Sequence, residues 1–440
     1  MNGDYRTLFV GTLVQESFLS VGGTDDPDTT VDSPFCRNGL GRPTLRGTGL
    51  AGALIATLRR SLGSQVPLTI SGSQDGRQPS VWRFFNSHPA AGTRPAYRQH
   101  VAIDSRTGAA ATGALFNVET LPPGTRWPFL LEVDTRRDPD AAQQAREALG
   151  HWAAGRCLLG REVARGLGWM RLDDLYEYRL TDASLDTWPC AKAADDYPAY
   201  IEKHFSSLRE RVDATAGQLP GWIEITGSVS AGAHEDDYGI DSLSIGGHAT
   251  EELAAAWDER FLAPDGQKDP AEAFDPDFAI VTFEQRDADQ KVRRLPYIPG
   301  SSLRGPLRHA LERLLRARGE DDPQVVKTLF GTVEKGAKLL IRDALPEEGP
   351  VQLAWLQHHA EDEFAGGAYG SAKFDRVAVM HGSFAWKMVI EGADPGERAA
   401  LKDLLDLAKA GQIGIGGSQW RGHGWLRWTI PDLSLLEELK

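Results

Sequence analysis

The sequence predicts an α+β protein in which one folding unit occurs twice, and three observations support this prediction. Short motifs recur at shifts of 253 and 256 residues in a chain of 440 residues, which indicates an internal duplication. Strand-like and helix-like segments follow the same order in both copies. Hydrophobic residues make up 41% and charged residues 25% of the chain, a composition that excludes a mainly disordered, collagen-like or coiled-coil protein.

Two pairs of motifs define the duplication. Pro43–Leu54 aligns with Pro296–Leu307 at the shift of 253, and Gly160–Arg171 aligns with Gly416–Arg427 at the shift of 256. Several glycines align in each pair, among them Gly47 with Gly300 and Gly168 with Gly424.

The second copy is expected to carry an insertion. Ser20–Gly23 aligns with Ser244–Gly247 at a shift of only 224, which is 29 residues short of the shift farther along the chain. The extra residues therefore fall within 248–294. The resulting domain organisation is a first domain at 1–180, a helical linker at 181–220 and a second domain at 221–440.

Each copy opens with a strand and a helix. The strands are predicted at 7–14 and 222–229, each followed by a loop rich in Gly and Asp. The helices follow at 50–62, where leucines recur every four residues, and at 303–316. This spacing places the leucines on one helix face.

Each copy continues with a strand, a Gly-rich hairpin, a strand, a helix and a last strand. Asp138-Pro139 and Asp394-Pro395 are expected to open the second helix, because Pro favours the first helical turn. This order is βαββαβ, the pattern of a ferredoxin-like domain. The linker is expected to be helical at 197–215. The remaining strands are predicted at 81–85, 127–133 and 168–172 and at 338–342, 384–390 and 424–428, and the hairpins at 104–126 and 363–383.

The charge distribution distinguishes the two halves of the chain. The net charge of −14 by itself argues against a nucleic-acid partner. Residues 1–180, however, contain 20 Arg, no Lys and 18 acidic residues, so they carry +2 and the remainder carries −16. Arg is the better donor to phosphates, so this asymmetry weakly favours an anionic ligand of the first half. The alternative is that the use of Arg in place of Lys reflects the base composition of the genome.

The chain is expected to be cytoplasmic and not associated with a membrane. No apolar run reaches the roughly 18 residues of a membrane span, and the N-terminus does not read as a signal peptide. The three cysteines are far apart and form neither zinc-site spacing nor a disulfide framework.

Two kinds of loop are candidates for binding an anion. The first precedes the first helix of each copy, where free backbone N–H groups, a Ser cap and a nearby Arg suit phosphate; a simple helix cap is the alternative. The second is rich in Gly and Arg and precedes the last strand; a flexible turn is the alternative. The candidate residues are Arg46, Gly47, Thr48, Gly300, Ser301, Ser302 and Arg304 in the first loops, and Arg161, Arg165, Gly416, Gly417, Ser418, Gln419, Arg421 and His423 in the second.

The motifs of both copies resemble those of the RAMP superfamily, and in particular the backbone subunits of type III CRISPR effector complexes. The second copy carries the resemblance through Leu295–Leu307, Leu329–Gly331, Ile341–Ala344 and Gly416–Gly424. The first copy matches less closely, with Arg46 where the family has Pro. The resemblance implies two fused ferredoxin-like domains that hold a CRISPR guide RNA, with hairpins that separate bases of the guide–target duplex. It implies as partners the guide RNA, target RNA, other RAMP backbone subunits and the large signature subunit.

The resemblance also implies an acidic residue that helps to cut target RNA. In the family it is the Asp of an Ile/Val-Asp-Ser-Pro stretch, which matches Asp32 here. The second copy has no such stretch, and its candidates are Glu284, reached by counting back from Pro296, and Asp275 and Asp277 just upstream. The alternative is that the second copy only binds RNA. A divalent cation, Mg²⁺, would offset charge at the scissile phosphate.

Two other interpretations fit the sequence. One is a non-catalytic scaffold of the same fold and complex. The other is an enzyme that binds a small phosphorylated molecule on duplicated ferredoxin-like domains.

Several prominent residues are expected to be structural. The tryptophans of the predicted strands should pack in the core, and His358 and His359 should be solvated or cap local structure. The hairpin segments 109–116 and 366–374 are the candidates for separating bases. The tryptophans are Trp127, Trp169, Trp386 and Trp425.

Overall fold

The computed structural model confirms an α+β protein with two ferredoxin-like domains. One compact unit comprises Met1–Val163 and Leu167–Trp222, and the other comprises Ala164–Gly166 and Ile223–Lys440. The structure describes residues 5–23, 31–73, 75–103, 110–184, 188, 197–213, 216–232, 242–246, 276–286, 292–362, 364 and 366–437.

The first unit contains all six elements of the βαββαβ pattern together with a separate hairpin. Its elements are β1 (Arg6–Gln15), α1 (Gly47–Leu62), α2 (Leu68–Ser71), β2 (Trp82–Phe84), β3 (Ala96–Ile103), β4 (Ala110–Thr120), β5 (Arg126–Val133), α3 (Ala141–Ala153), β6 (Cys157–Leu158), β7 (Trp169–Leu180), α4 (Tyr197–Phe205) and β8 (Arg209–Arg211). The sheet order is β2-β5-β1-β7-β6, with β8 beside β7. Its paired strands run antiparallel.

Both faces of the first sheet are covered, because successive side chains of a strand point to opposite faces. Phe9 and Leu13 of β1 join the leucines of α1 and Trp152 of α3 in one buried cluster. Leu8 and Val10 face the other way, into a cluster that includes Ile201 and Phe205 of α4.

The second unit repeats this plan. Its elements are β9 (Trp222–Ala231), β10 (Phe278–Ala279), β11 (Thr282–Arg286), β12 (Val292–Pro296), α5 (Gly300–Ala317), α6 (Gln324–Phe330), β13 (Leu339–Ile341), β14 (Leu345–Pro346), β15 (Gln352–Asp362), β16 (Gly367–Glu391), α7 (Pro395–Lys409) and β17 (Arg427–Thr429). The strands β13, β16, β9 and β17 lie side by side in that order, which is the order of their counterparts β2, β5, β1 and β7. A single buried cluster joins α5, α6 and α7 to this sheet.

Three details of the sequence prediction are wrong. The linker helix ends at Phe205 rather than 215, because a 3-10 turn and then β8 continue the chain along β7. Helix α3 begins at Ala141, and Asp138 instead accepts a hydrogen bond from Thr69 Oγ1 at 2.6 Å. Trp425 is 40% exposed, whereas the other three predicted core tryptophans are buried.

The hairpins begin before their predicted limits. In the first unit β3 pairs with β4 from Ala96 onwards, and in the second β15 pairs with β16 from Gln352 onwards. Residue 109 and most of the insertion at 248–294 lie outside the described residues. Among the described residues, no helix is both long and apolar enough to cross a membrane.

Candidate functional site

The start of the first helix has the same backbone geometry in both units. Gly47 N–H donates to Asn86 Oδ1 at 2.9 Å, and Gly300 N–H donates to Asp343 Oδ1 at 2.6 Å. A Cβ atom at either glycine would lie 2.5 Å from a strand carbonyl oxygen, so only Gly fits. The two helix starts therefore differ in the charge of the side chain that caps them.

An open cleft of about 510 Å³ lies at the start of α1. Arg46 and Thr48 are exposed there, and Arg46 forms no ion pair with any described residue. Arg37, which also lines the cleft, is paired with Glu119. Because the cap Asn86 is neutral, the positive end of the helix dipole and Arg46 make this cleft attractive to an anion.

The start of α5 is neutralised by the protein itself. No serine side chain caps this helix, contrary to the sequence prediction, and the buried Asp343 carboxylate takes that place. Arg304 donates from Nη1 to Leu339 O at 3.0 Å and from Nη2 to Phe330 O. Burial, with the nearby charges of Arg165 and Arg308, lowers the pKa of Arg304 to about 10. RNA contact by Gly300, Ser301, Ser302 and Arg304 stays a prediction.

Asp32 is held at the base of the first hairpin. Its carboxylate is exposed, and Oδ2 accepts a hydrogen bond from Asn117 N–H at 2.8 Å. The neighbouring Ser33 forms a parallel bridge with Val118 of β4. Preceding Asn117, Phe116 stacks on His100 of β3, with ring centroids 5.0 Å apart.

Asp277 has the same surroundings in the second unit. Its exposed carboxylate accepts a hydrogen bond from Asp375 N–H, also at 2.8 Å. The next residue, Phe278, pairs in parallel with Arg376. Phe374, which precedes Asp375, stacks on His358, with ring centroids 5.2 Å apart. Asp277 is therefore the structural counterpart of Asp32.

The other two acidic candidates differ. Glu284 lies on the separate β11–β12 hairpin, where its carboxylate pairs with Arg294 at 2.9 Å. Asp275 lies outside the described residues.

The Gly/Arg loops also share their backbone form. Glu162 and Ser418 occupy equivalent positions and have left-handed φ angles of 56° and 59°. A Cβ at Gly168 or Gly424 would fall within about 2 Å of a carbonyl oxygen. Arg161 donates to Ser33 Oγ at 2.9 Å, beside the candidate acid of the first unit.

Within the loop of the second unit, three of the predicted residues have local roles. Gly417 N–H donates to Ser244 O at 2.8 Å, and Gln419 Nε2 donates to Gly416 O at 3.2 Å. Arg165 and Arg421, by contrast, are exposed residues of the two loops. These two arginines are thus the ones placed to reach a ligand from solvent.

His423 is buried, although the sequence suggested that it could reach a phosphate. Only 2% of it is exposed, and its Nδ1 lies 2.5 Å from Ser242 Oγ. Burial, Arg376, His358 and Arg421 lower its pKa to about 4. His358 is also half-buried rather than solvated, because its ring lies against Phe374.

The described residues do not form a protein-held metal site. They contain no group of three or more His, Cys, Asp or Glu side chains that could hold an ion. One oxygen of Asp32 is already used by a backbone N–H. Because Mg²⁺ usually takes only one or two protein carboxylates together with substrate phosphates, its binding stays a prediction, and no step below uses a metal.

Sequence reasoning missed Asn86 and Asp343 as the side chains that cap the two helices, and it missed Arg376, the strand partner of Phe278 beside Asp277. Asp343 falls within the motif that carried the family resemblance, two residues after a short strand, and Asn86 holds the same place in the first copy. The equal spacing was the signal that could have identified the pair. Arg376 becomes recognisable only when the strand pairing is known.

The chain matches the sequence profile of a known protein family. The sequence profile of the RAMP superfamily matches residues 16–171 and 281–427. These two segments contain the two helix starts, both hairpins and both Gly/Arg loops. No curated protein matches the chain significantly.

Proposed function

The chain belongs to the RAMP superfamily, and from this premise we propose that it is a backbone subunit of a type III CRISPR effector that binds guide RNA and cuts target RNA. Its family supports an RNA-binding, CRISPR-associated subunit. The observation that carries the proposal is the pair of exposed carboxylates, Asp32 and Asp277, held identically at the bases of two hairpins. Two equivalent sites in one chain suit RNA, because its sugar-phosphate backbone offers the same groups at every nucleotide.

The cleft at the start of α1 is the part of the first unit that best suits a phosphate of the guide RNA. Arg46 and the α1 N-terminus attract a phosphate without reading a base. The neutral Asn86 cap adds no negative charge, in contrast to Asp343 in the second unit. The net charge of −14 is compatible with this assignment because a phosphate responds to the local potential of the cleft.

The hairpins suit the separation of paired bases. Val101, Ile103 and Leu115 on the β3–β4 hairpin are 48%, 47% and 63% exposed. Val101 and Leu115 are cross-strand partners, so they form a continuous apolar surface. Such a surface favours contact with unstacked bases over paired ones.

Cleavage uses the nucleophile that RNA itself carries. The Asp32 carboxylate accepts the proton of the 2′-hydroxyl of a splayed nucleotide, and the 2′-oxygen forms a bond to the adjacent phosphorus. The bond from phosphorus to the 5′-oxygen breaks, and that oxygen takes a proton from water. The products are a 2′,3′-cyclic phosphate and a 5′-hydroxyl. The Asn117 N–H holds the carboxylate in place for this step.

The test is target cleavage by the complex assembled on guide RNA. Asp32→Asn should reduce cutting at one position at least about 100-fold, and Asp277→Asn should do the same at another. Glu284→Gln is the matched control and should keep both products. A target with a 2′-deoxynucleotide at the cut position should resist cutting there.

The outcomes separate the rival interpretations. An unchanged product pattern in both Asp variants would mean that the chain is a non-catalytic scaffold. Loss of one product in Asp32→Asn alone would limit cutting to the first unit.

A further inference from the structure

The second unit contains a cluster of basic side chains at the base of its hairpin, which we call the basic cluster. The guanidinium of Arg376 lies 5.6 Å and that of Arg421 4.4 Å from the centre of the Phe374 ring. His358 stacks on the same ring. His423 meets the His358 ring edge to face at 5.4 Å.

Two nitrogen atoms of the basic cluster are buried without a hydrogen-bond partner, Nε of Arg376 and Nε2 of His358. Arg376 is only 8% exposed, and Nη1 donates to Ser244 Oγ at 2.8 Å. Neither Arg376 nor Arg421 forms an ion pair with any residue that the structure describes. Buried donors are normally satisfied, so these groups indicate a ligand.

The first unit neutralises the equivalent region with its own acids. His100 Nε2 lies 3.3 Å from Glu162 Oε2. Glu119 accepts hydrogen bonds from Phe35 N–H and from Arg37. By the alignment of the two hairpins and loops, Val377 and Ser418 stand at the positions of Glu119 and Glu162. The second unit has thus exchanged both acids for uncharged residues.

The acids that remain nearby do not pair with the basic cluster. Asp375 Oδ1 is itself buried without a partner, and Asp277 accepts from a backbone N–H. Burial and the positive charges of Arg376 and Arg421 lower the pKa of His358, and Asp375 opposes them. An external anion would relieve the repulsion among these groups.

An aromatic side chain beside the basic cluster indicates the kind of anion. Trp420, next to Arg421, is 98% exposed, and the first unit has Ala164 at this position. An exposed indole next to an unpaired guanidinium is typical of single-stranded nucleic-acid binding, since the base stacks and the phosphate pairs.

We propose that Arg376, Arg421 and Trp420 form an RNA-binding site of the second unit, which takes one phosphate and stacks one base, and which the first unit lacks. This inference rests on the proposed function only in that the chain binds RNA. It does not require that the chain cuts RNA.

The test measures affinity of the full chain for a fluorescent single-stranded RNA over a range of salt concentrations. Arg421→Gln should weaken binding about tenfold and reduce the salt slope by about 1. Trp420→Ala should weaken binding about 5- to 100-fold with the slope unchanged. Arg313→Gln, at an exposed position of α5, is the matched control and should bind like the wild type.

A second variant tests the site independently by introducing an acidic residue that the first unit has at the equivalent position. Ser418→Glu introduces the acid of the first unit at a backbone position where that unit already holds Glu162 with a similar φ angle. The new carboxylate should compete with the phosphate and weaken RNA binding about tenfold. Thermal unfolding of each variant checks that it folds.

The results distinguish this inference from the proposed function. Wild-type affinity and slope in both Arg421→Gln and Ser418→Glu would overturn the inference while leaving RNA binding intact. Wild-type RNA affinity with lost assembly of partner subunits would also overturn it, since the ligand would then be an acidic protein surface. Absence of RNA binding by the wild-type chain would overturn the proposed function itself.

Discussion

Replacement of His423 by Leu, the residue found at equivalent position 167 of the first unit, should remove part of the pH dependence of folding. The folded protein holds the pKa of His423 at about 4, against an ordinary value of 6.5. The imidazole is buried, so the shift is not screened by solvent. At about 1.4 kcal/mol per pKa unit, this difference corresponds to about 3 kcal/mol.

The sign of this effect follows from where the proton binds. Between pH 6.5 and 4 the unfolded chain takes up a proton at His423 and the folded chain does not. Stability from the neutral imidazole is therefore present above pH 6.5 and is lost as the pH falls towards 4. His151, His309 and His358, whose pKa values are also lowered, contribute to the same trend in the wild type and the variant.

Urea unfolding at pH 7.5 and 5.0 measures the effect. The free energy of unfolding of the second unit should fall between these conditions by about 2 kcal/mol more in the wild type than in His423→Leu. An NMR titration should find the His423 ring neutral at pH 5.5. Equal pH dependence in the two proteins, or a ring that protonates near pH 6.5, would refute the assignment of a buried neutral imidazole.

Three further substitutions test the packing and the cleft. Gly47→Ala should destabilise the first unit by about 1–3 kcal/mol, because the new Cβ would lie 2.5 Å from a strand carbonyl oxygen. Gly49→Ala is the control and should stabilise the unit slightly, because its Cβ would have no atom within 4 Å. Thermal unfolding compares the two variants. Asp394→Ala removes a capping box and should lower the free energy of unfolding by about 1 kcal/mol. Asp140→Ala removes no capping hydrogen bond and should lower it by only a few tenths of a kcal/mol. Urea unfolding measures both effects. Asn86→Asp would place a carboxylate at the cleft and should weaken RNA binding several-fold in fluorescence anisotropy, and unchanged affinity would argue against guide binding there.

The order of elements could be predicted from the sequence because it was present twice. Leucine spacing located α1, and the alignment of the two copies then located α5 and the loops that contain glycine. Boundaries set by tertiary contacts could not be predicted. Helix α4 ends early because β8 pairs with β7, and Trp425 is exposed although it lies in a pattern typical of a strand.

In the candidate site, too, residues marked by a local motif could be predicted, whereas those defined by tertiary contacts could not. Asp32 was proposed because the resemblance to a family motif singled it out, whereas the candidate acid of the second copy stayed ambiguous among three residues. Asp277 is distinguished only by a hydrogen bond to the distant Asp375 and by a parallel pairing, neither of which leaves a local pattern in the sequence. His423 was misplaced because a Gly-rich loop usually exposes its side chains, whereas here Ser242 holds the ring inside.

The most direct test of RNA binding is to purify the chain with its partner subunits from cells that express them and to sequence the nucleic acid that accompanies it. The account predicts RNA of defined length, recovered at a constant ratio to protein and released by high salt, because phosphates provide the contacts. A complex that purifies free of RNA, or that carries RNA of random length unaffected by salt, would contradict it.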